Sequence, residues 1–430
     1  MLIKPAKSIN GDVVLPGDKS ISHRAAIIAS LAEGDSRIEN FSRADDCAST
    51  IRCLRQLGVE IEGSENELVI HGVGRYGFRK PAEPLDCGNS GTTMRLLAGL
   101  LASQEFESIL TGDESLKGRP MRRIVEPLQQ MGADITAADG RPPLTIRPVT
   151  GLKAINYKMP VASAQVKSCL LLAGLFAHGE TTIIETETTR DHTERMLRGF
   201  GVEVTAAKLF NENRLTIANG SNLAARKFCV PADVSAASFF IIGAACLPGS
   251  DITIAQLGVN PTRAALLNMI ADIGGKIEIT QEQLSLGEPY ATVRFRSNGL
   301  DNAPVRIAGA QIAELIDEIP ILAVLGTKMY GGLEVRDAAE LRVKETDRIS
   351  TVVENLRRMK ADVEEFDDGL RVRKSQLSGA EVDSFGDHRI AMAFGIAGLL
   401  GQGDTVIKNV DCANVSFPGF FEVLESVAQR

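Results

Sequence analysis

Five cations stand where helix chemistry disfavours them. Lys19, Arg24, Arg95, Lys167 and Arg389 fall in or near the first turns of segments whose apolar pattern predicts buried helices. A helix N-terminus carries partial positive charge, so a base there is unfavourable on its own account. The same end presents free N–H groups that bind anions. Gly, Ser, Asn and Asp surround these bases, and all are N-cap types. Capping explains any one such opening. It does not explain five bases so placed in a chain of net charge −8. The pattern points to a small anionic ligand held by local basic clusters.

Two acidic segments stand out in the same way. Asp317 and Glu318 interrupt LIDEIPILAVL, which otherwise reads as a core helix. A buried acid without a partner is costly and titrates upward. Glu345 lies in RVKETDRI beside Lys344, Asp347 and Arg348. The plainer reading of both is an exposed face with local ion pairs.

The elements that position these residues are repeated. Openings at Pro16, Asp86, Pro160, Pro231, Ala308 and Phe385 lie 70–77 residues apart, and each leads into an apolar helix ending near Gly. A short β segment follows, then an amphipathic helix, expected at 45–57, 121–131, 192–200, 262–273 and 345–359. QLGVEIEG, QMGADITA, GFGVEVTA and DIGGKIEI then place Gly at a left-handed C-cap before an alternating strand. A hairpin partner such as DGLRVRKS completes a βαβαββ unit. The sixth copy ends in the helix SFPGFFEVLESVAQR with no strand after it, while two unclaimed strands, LIKPAK and GDVVLPG, open the chain. If these complete the last unit, one domain is discontinuous. The expected division is residues 1–20 plus 234–430 and residues 21–233, three units each, with two chain crossings as a hinge.

Composition narrows the function classes. The chain has 430 residues, enough for two domains. A net charge of −8, 5% aromatic residues and no Trp argue against nucleic acid. Seven scattered cysteines without zinc spacing and five dispersed histidines predict reduced thiols and no metal site. No apolar run is long enough for a membrane span. The first strand begins too early to leave room for a leader peptide. A cytoplasmic location is the expectation.

In combination the motifs are specific. PGDKSISHR, DCGNSGTTMRLL, GRPMRR, ASAQVKS, RDHTE, LIDEIP, RVKETDRI and DHRIAMAF occur in this order across nearly the whole chain. In this the chain resembles the 5-enolpyruvylshikimate-3-phosphate synthases. The resemblance implies an α/β fold, the two-domain inverse α/β barrel of six βαβαββ units, with the active site in the interdomain cleft. It implies transfer of the enolpyruvyl group of phosphoenolpyruvate to the 5-hydroxyl of shikimate 3-phosphate through a tetrahedral ketal, with phosphate released. It further implies a monomer working on these two small molecules, with no cofactor, no metal, no nucleic acid and no membrane.

The resemblance also assigns residues. Lys19, Ser20 and Arg24 match shikimate 3-phosphate contacts, with Lys19 also near phosphoenolpyruvate. Ser163, Ala164, Gln165, Arg190 and Lys344 match further shikimate 3-phosphate contacts. Gly91, Arg119, Arg348 and Arg389, with Gln165, match the phosphoenolpyruvate pocket. Asp317 resembles the acid that bonds the reacting hydroxyl, and Glu345 the acid placed to protonate C3. Lys19 joins them as a catalytic candidate.

Two departures accompany this match. Val415 in CANVSFP stands where many members have Lys. ASAQVKS, RPMRR and RDHTE follow a second class that is often less sensitive to glyphosate. Two rivals compete with the reading. UDP-N-acetylglucosamine enolpyruvyl transferases share the fold, but Glu114 occupies the place of their reactive Cys. A non-catalytic anion-binding repeat protein would explain the bases but not Asp317 and Glu345 beside them.

Overall fold

The computed structural model describes residues 1–430 except 65–66, 211, 221, 298 and 301–302. The chain divides into two compact units, each with its own hydrophobic core. One comprises Met1–Pro16, Pro231–Gln283 and Pro289–Arg430, the other Gly17–Val230 and Leu284–Glu288. The cuts lie a few residues before the expected ones. One piece departs from the expected assignment: Leu284–Glu288, at the turn after strand Lys276–Ser285, clusters with the Gly17–Val230 body. The cause is polar. Buried Glu288 sits 2.8 Å from His192 Nδ1, Arg195 donates to the Gly287 carbonyl at 2.8 Å, and Ser285 Oγ donates to the Cys229 carbonyl at 2.6 Å. The chain therefore passes between the units four times, after residues 16, 230, 283 and 288, rather than twice.

The Gly17–Val230 unit contains three four-stranded sheets of one pattern. The first runs Lys227–Cys229, Glu33–Glu39, Glu67–Val73, Glu60–Gly63, and its first pair is parallel while the other two are antiparallel. Leu85–Asp86, Ser108–Thr111, Arg141–Arg147 and Asp134–Ala138 repeat it, as do Asn156–Lys158, Glu180–Glu185, Glu212–Ala218 and Val204–Leu209. The first sheet takes its parallel edge strand from the far end of the segment, so the three repeats close head to tail.

The other unit follows the same scheme with one variation. Val305–Ile307, Leu333–Val335, Gly369–Val372 and Val363–Phe366 form one sheet of this pattern. The N-terminal strands then serve two sheets. Leu2–Ile3 pairs with Thr405–Lys408, and Ser8–Asp12 lies parallel to Asp251–Gly258. The expected strandless C-terminus is corrected here: after helix Phe420–Val427, Ala428–Gln429 pairs antiparallel with Ser8–Asp12.

The repeated apolar helices form the cores. Val234–Cys246 and His388–Leu400 are buried at every position, which is why they lack an amphipathic stripe. Each fully buried Leu, Ile or Phe contributes about 1.5–3 kcal/mol. The amphipathic helices are Asp45–Gln56, Arg122–Gln130, His192–Gly199, Ala265–Asp272 and Arg348–Arg358. The last begins later than its apolar period suggests. Asp347 caps it by accepting from Ser350 N, so Glu345 stands ahead of the helix and not on it. The expected core helix through LIDEIPILAVL is likewise two helices, Ala310–Leu315 and Ile319–Gly326. Pro320 sits in the first turn of the second, where its missing N–H costs nothing. Asp317 thus occupies the break between them.

Candidate active site

In the Gly17–Val230 unit the candidate residues gather at three helix starts. Helix Lys19–Leu31 is capped by Asp18, whose carboxylate accepts from Ile21 N at 2.9 Å. Its entry needs Gly17, because a Cβ there would lie 1.8 Å from the Asn40 carbonyl oxygen. Lys19 Nζ reaches Asp46 at 2.8 Å. Arg24 is buried and spread over three acceptors: the Ser20 carbonyl at 2.8 Å, Thr193 Oγ1 at 2.7 Å and Ser168 Oγ at 2.8 Å. Burial pushes its pKa down to about 10 against the opposing pull of Glu194 and Asp18, and Arg190 adds repulsion. Arg190 and Arg24 are therefore electrostatic neighbours.

Helix Gly91–Leu101 is the second start, capped by Ser90. Arg119 donates to Asn89 Oδ1 at 2.7 Å and to Ser115 Oγ at 3.3 Å. Arg95 Nη1 donates to Gln165 Oε1 at 2.5 Å, and Gln165 donates to Thr92 Oγ1 at 2.9 Å. A Cβ on Gly91 would lie 2.7 Å from Arg95 Nη1 and 3.4 Å from Arg119 Nη1. Gly91 is thus the floor on which two guanidinium groups meet. The third start, Ala164–Gly174, is capped by Ser163 through Val166 N. It carries Gln165 to the same place.

Lys167 does not join them. It is 1% exposed and lies 2.7 Å from Glu194 and 3.1 Å from Glu185. Its charge is consumed by two buried carboxylates, so it cannot be counted among ligand-facing bases. The RDHTE motif is explained on the same terms. Asp191 pairs with Arg195 at 2.8 Å, His192 meets Glu288, Thr193 holds Arg24, and Glu194 holds Lys167.

The other unit gathers five candidates in one cluster about Asp317 and Arg348. Asp317 lies 3.6 Å from Arg348, 4.0 Å from Lys344 and 4.0 Å from Arg389. Glu345 meets Arg348 Nη2 at 2.6 Å. Arg348 is 2% exposed. Burial pushes its pKa down, but Asp387, Glu345 and Asp317 together raise it above its ordinary value. Asp387 fixes this guanidinium from behind at 2.8 Å and also caps helix His388–Leu400 through Arg389 N. Glu318, next to Asp317, points elsewhere: it accepts from Ser235 Oγ and lies 3.8 Å from Arg389. Neighbouring acids therefore have separate environments, one internal and one partly open. Val415 ends a 3-10 turn, Val410–Val415, and is half-buried.

Several supporting residues carried no sequence signal of their own. Asp46 for Lys19, Ser168 and Thr193 for Arg24, Asn89 and Ser115 for Arg119, and Asp387 for Arg348 all read as caps or helix polar residues. Asn89, Ser168 and Asp387 stand within recognisable openings, in DCGNSG, ASAQVKS and DHR.

Known proteins agree across the full length. A profile of the family described as EPSP synthase (3-phosphoshikimate 1-carboxyvinyltransferase) matches residues 3–424. A 3-phosphoshikimate 1-carboxyvinyltransferase of Solibacter usitatus (strain Ellin6076) is 51% identical over 429 residues, covering 99% of both chains. One from Koribacter versatilis (strain Ellin345) is 49% identical over 430 residues, covering 100% of this chain and 99% of that protein. A solved EPSP synthase from Acinetobacter baumannii superposes with a TM-score of 0.87 at 40% identity, over 99% of this chain and 98% of that one. With its two-unit α/β architecture, repeated βαβαββ sheets and capped basic helix starts, this chain belongs to the EPSP synthase family.

Proposed function

We propose that the protein transfers the enolpyruvyl group of phosphoenolpyruvate to the 5-hydroxyl of shikimate 3-phosphate, and that the residues gathered above carry the reaction. The observation that carries this reading is the Asp317 cluster: Asp317 and Glu345 share Arg348, and Asp317 also faces Lys344 and Arg389. Both substrates bear a phosphate and a carboxylate, which accounts for the bases. Guanidinium forks suit such groups. Lys19, Ser20, Arg24, Ser163, Ala164, Gln165 and Arg190 take shikimate 3-phosphate, with Lys344. Gly91, Arg119, Arg348 and Arg389 take phosphoenolpyruvate, with Lys19 and Gln165. These sets draw on residues of both units.

In the first step Asp317 accepts the 5-hydroxyl proton as that oxygen bonds to C2 of phosphoenolpyruvate. Glu345 gives a proton to C3, and the double bond becomes a tetrahedral ketal. In the second step a C3 proton returns to a carboxylate, the C2–O bond to phosphate breaks, and phosphate leaves with its electron pair. Lys19 and the arginines stabilise the charge of the departing phosphate. The seven cysteines are free, which accords with the cytoplasm. Among the described residues no helix is long and apolar enough to cross a membrane.

The direct test is phosphate release. It is expected only when both substrates are present. Release without shikimate 3-phosphate, or none with both, defeats the assignment. The rival UDP-N-acetylglucosamine transfer predicts release with that sugar nucleotide, and none is expected here.

Gly91 gives a second test. Gly91→Ala puts a methyl 2.7 Å from Arg95 Nη1, so that guanidinium must shift. The KM for phosphoenolpyruvate should rise about tenfold, equivalent to about 1.4 kcal/mol. Glyphosate, with its phosphonate and carboxylate, should compete with phosphoenolpyruvate and weaken at least as much. A variant with parental KM and parental inhibition removes Gly91 from this pocket.

A further inference from the structure

Beneath two of the helix starts runs a chain of four buried polar side chains. His23 Nδ1 lies 2.7 Å from Thr50 Oγ1, and Thr50 Oγ1 lies 2.7 Å from Thr93 Oγ1. Thr93 Oγ1 donates to Ser90 Oγ at 2.8 Å. No member is more than 1% exposed. The chain joins helix Lys19–Leu31, helix Asp45–Gln56 and the cap of helix Gly91–Leu101. His23 Nε2 is buried with no partner.

Counting hydrogens gives the chain a direction. Ser90 Oγ accepts from Thr93 N at 3.1 Å as well as from Thr93 Oγ1. With its one hydrogen spent on Ser90, or shared with the Asp46 carbonyl at 3.4 Å, Thr93 must accept from Thr50. Thr50, with its hydrogen spent on Thr93, must accept from the ring. Burial, with Lys19 and Arg24 nearby, pushes the His23 pKa well below its ordinary value, so the ring is neutral and has one proton. That proton belongs on Nδ1. The opposite tautomer would reverse every bond and strand an N–H at the buried Nε2, and orphaned buried donors are rare.

We propose that His23 is a positioning residue: as the Nδ1-protonated tautomer it heads a one-way relay through Thr50 and Thr93 that fixes Ser90 and the helix start bearing Asn89 and Gly91. Asn89 in turn holds Arg119, so the relay sets a guanidinium it never touches. An apolar chain of the same shape would carry no such directional information. The proposal rests on the reading that this helix start holds phosphoenolpyruvate.

The test uses Thr50→Val, which keeps shape and removes the hydroxyl, and Thr50→Ser, which keeps the hydroxyl. Thr50→Val should raise the phosphoenolpyruvate KM about five- to tenfold, leave the shikimate 3-phosphate KM within about twofold, and be rescued by Thr50→Ser. A merely structural role would lower stability without splitting the two KM values. Nitrogen-15 NMR of labelled histidines, with His23 assigned from His23→Gln, should show His23 protonated on Nδ1 in the substrate-free enzyme. An Nε2-protonated ring overturns the relay, as does Thr50→Val with unchanged or equally raised KM values. If Gly91→Ala raises the phosphoenolpyruvate KM and Thr50→Val does not, the relay is wrong. If neither does, the helix start does not hold phosphoenolpyruvate.

Discussion

Glu345→Gln and Asp317→Asn are each expected to lower kcat by about 100- to 10,000-fold, the usual worth of a positioned proton-transfer group. Each replacement is nearly isosteric and removes one ionisable oxygen. Binding should survive better than chemistry. Arg348, which touches both acids, is also held by Asp387 at 2.8 Å and stays in place when either acid is neutralised. Lys344 and Arg389 likewise keep their charge in Asp317→Asn, so KM should change by no more than about threefold. Glu318→Gln is the control. Its carboxylate serves Ser235 and Arg389 inside the fold, so its loss should fall on stability more than on kcat. Rapid-quench measurement of the tetrahedral ketal would place the defect, which should lie in its formation and in its breakdown. A kcat within about threefold of the parent in both variants would falsify the assigned roles.

Much of the fold was legible because its helices repeat an apolar pattern too regular for chance. The six openings each lead into a helix, and side-chain caps at Asp18, Ser90, Ser163, Asp233 and Asp387 mark five of them. The failures are local. LIDEIPILAVL reads as one helix because apolar period does not register a break at Ile316–Glu318, which tertiary pairing of Glu318 and Asp317 sets. The two-residue strand Ala428–Gln429 is too short to alternate, and its partner Ser8–Asp12 is more than 400 residues away in sequence. The turn Leu284–Glu288 looks like any hairpin tip until His192 is seen beside Glu288. Site residues were legible as types rather than duties. Lys19 directly follows its helix cap and Lys167 stands four residues after its own, and Lys19 is partly open while Lys167 is sealed against two acids. The sealing itself has no signal in the helix's own sequence, because Glu185 and Glu194 reach Lys167 from other elements.

Lys167 therefore supplies the largest expected loss of stability. Lys167→Met preserves length and apolar stem but leaves Glu185 and Glu194 without their cation in a site that is 1–3% exposed. Breaking a buried ion pair from one side typically costs about 3–5 kcal/mol. The loss should also depend on pH, and its sign follows from Glu194. Burial already raises that carboxyl above its ordinary value of 4.5, with Lys167 pulling it back down. A carboxyl whose folded pKa is raised binds protons on folding, so its contribution is most favourable at low pH and declines as pH climbs through the folded value. Without Lys167 the folded pKa moves higher still, and the decline extends further toward neutrality. The gap between parent and variant should thus be smaller at pH 5 and larger at pH 8, read as denaturant midpoints at each pH. Adding Glu194→Gln to Lys167→Met should recover part of the loss at pH 8 by removing one of the stranded charges. A variant as stable as the parent at pH 8, or a gap that widens on acidification, would mean that the two carboxylates do not depend on Lys167.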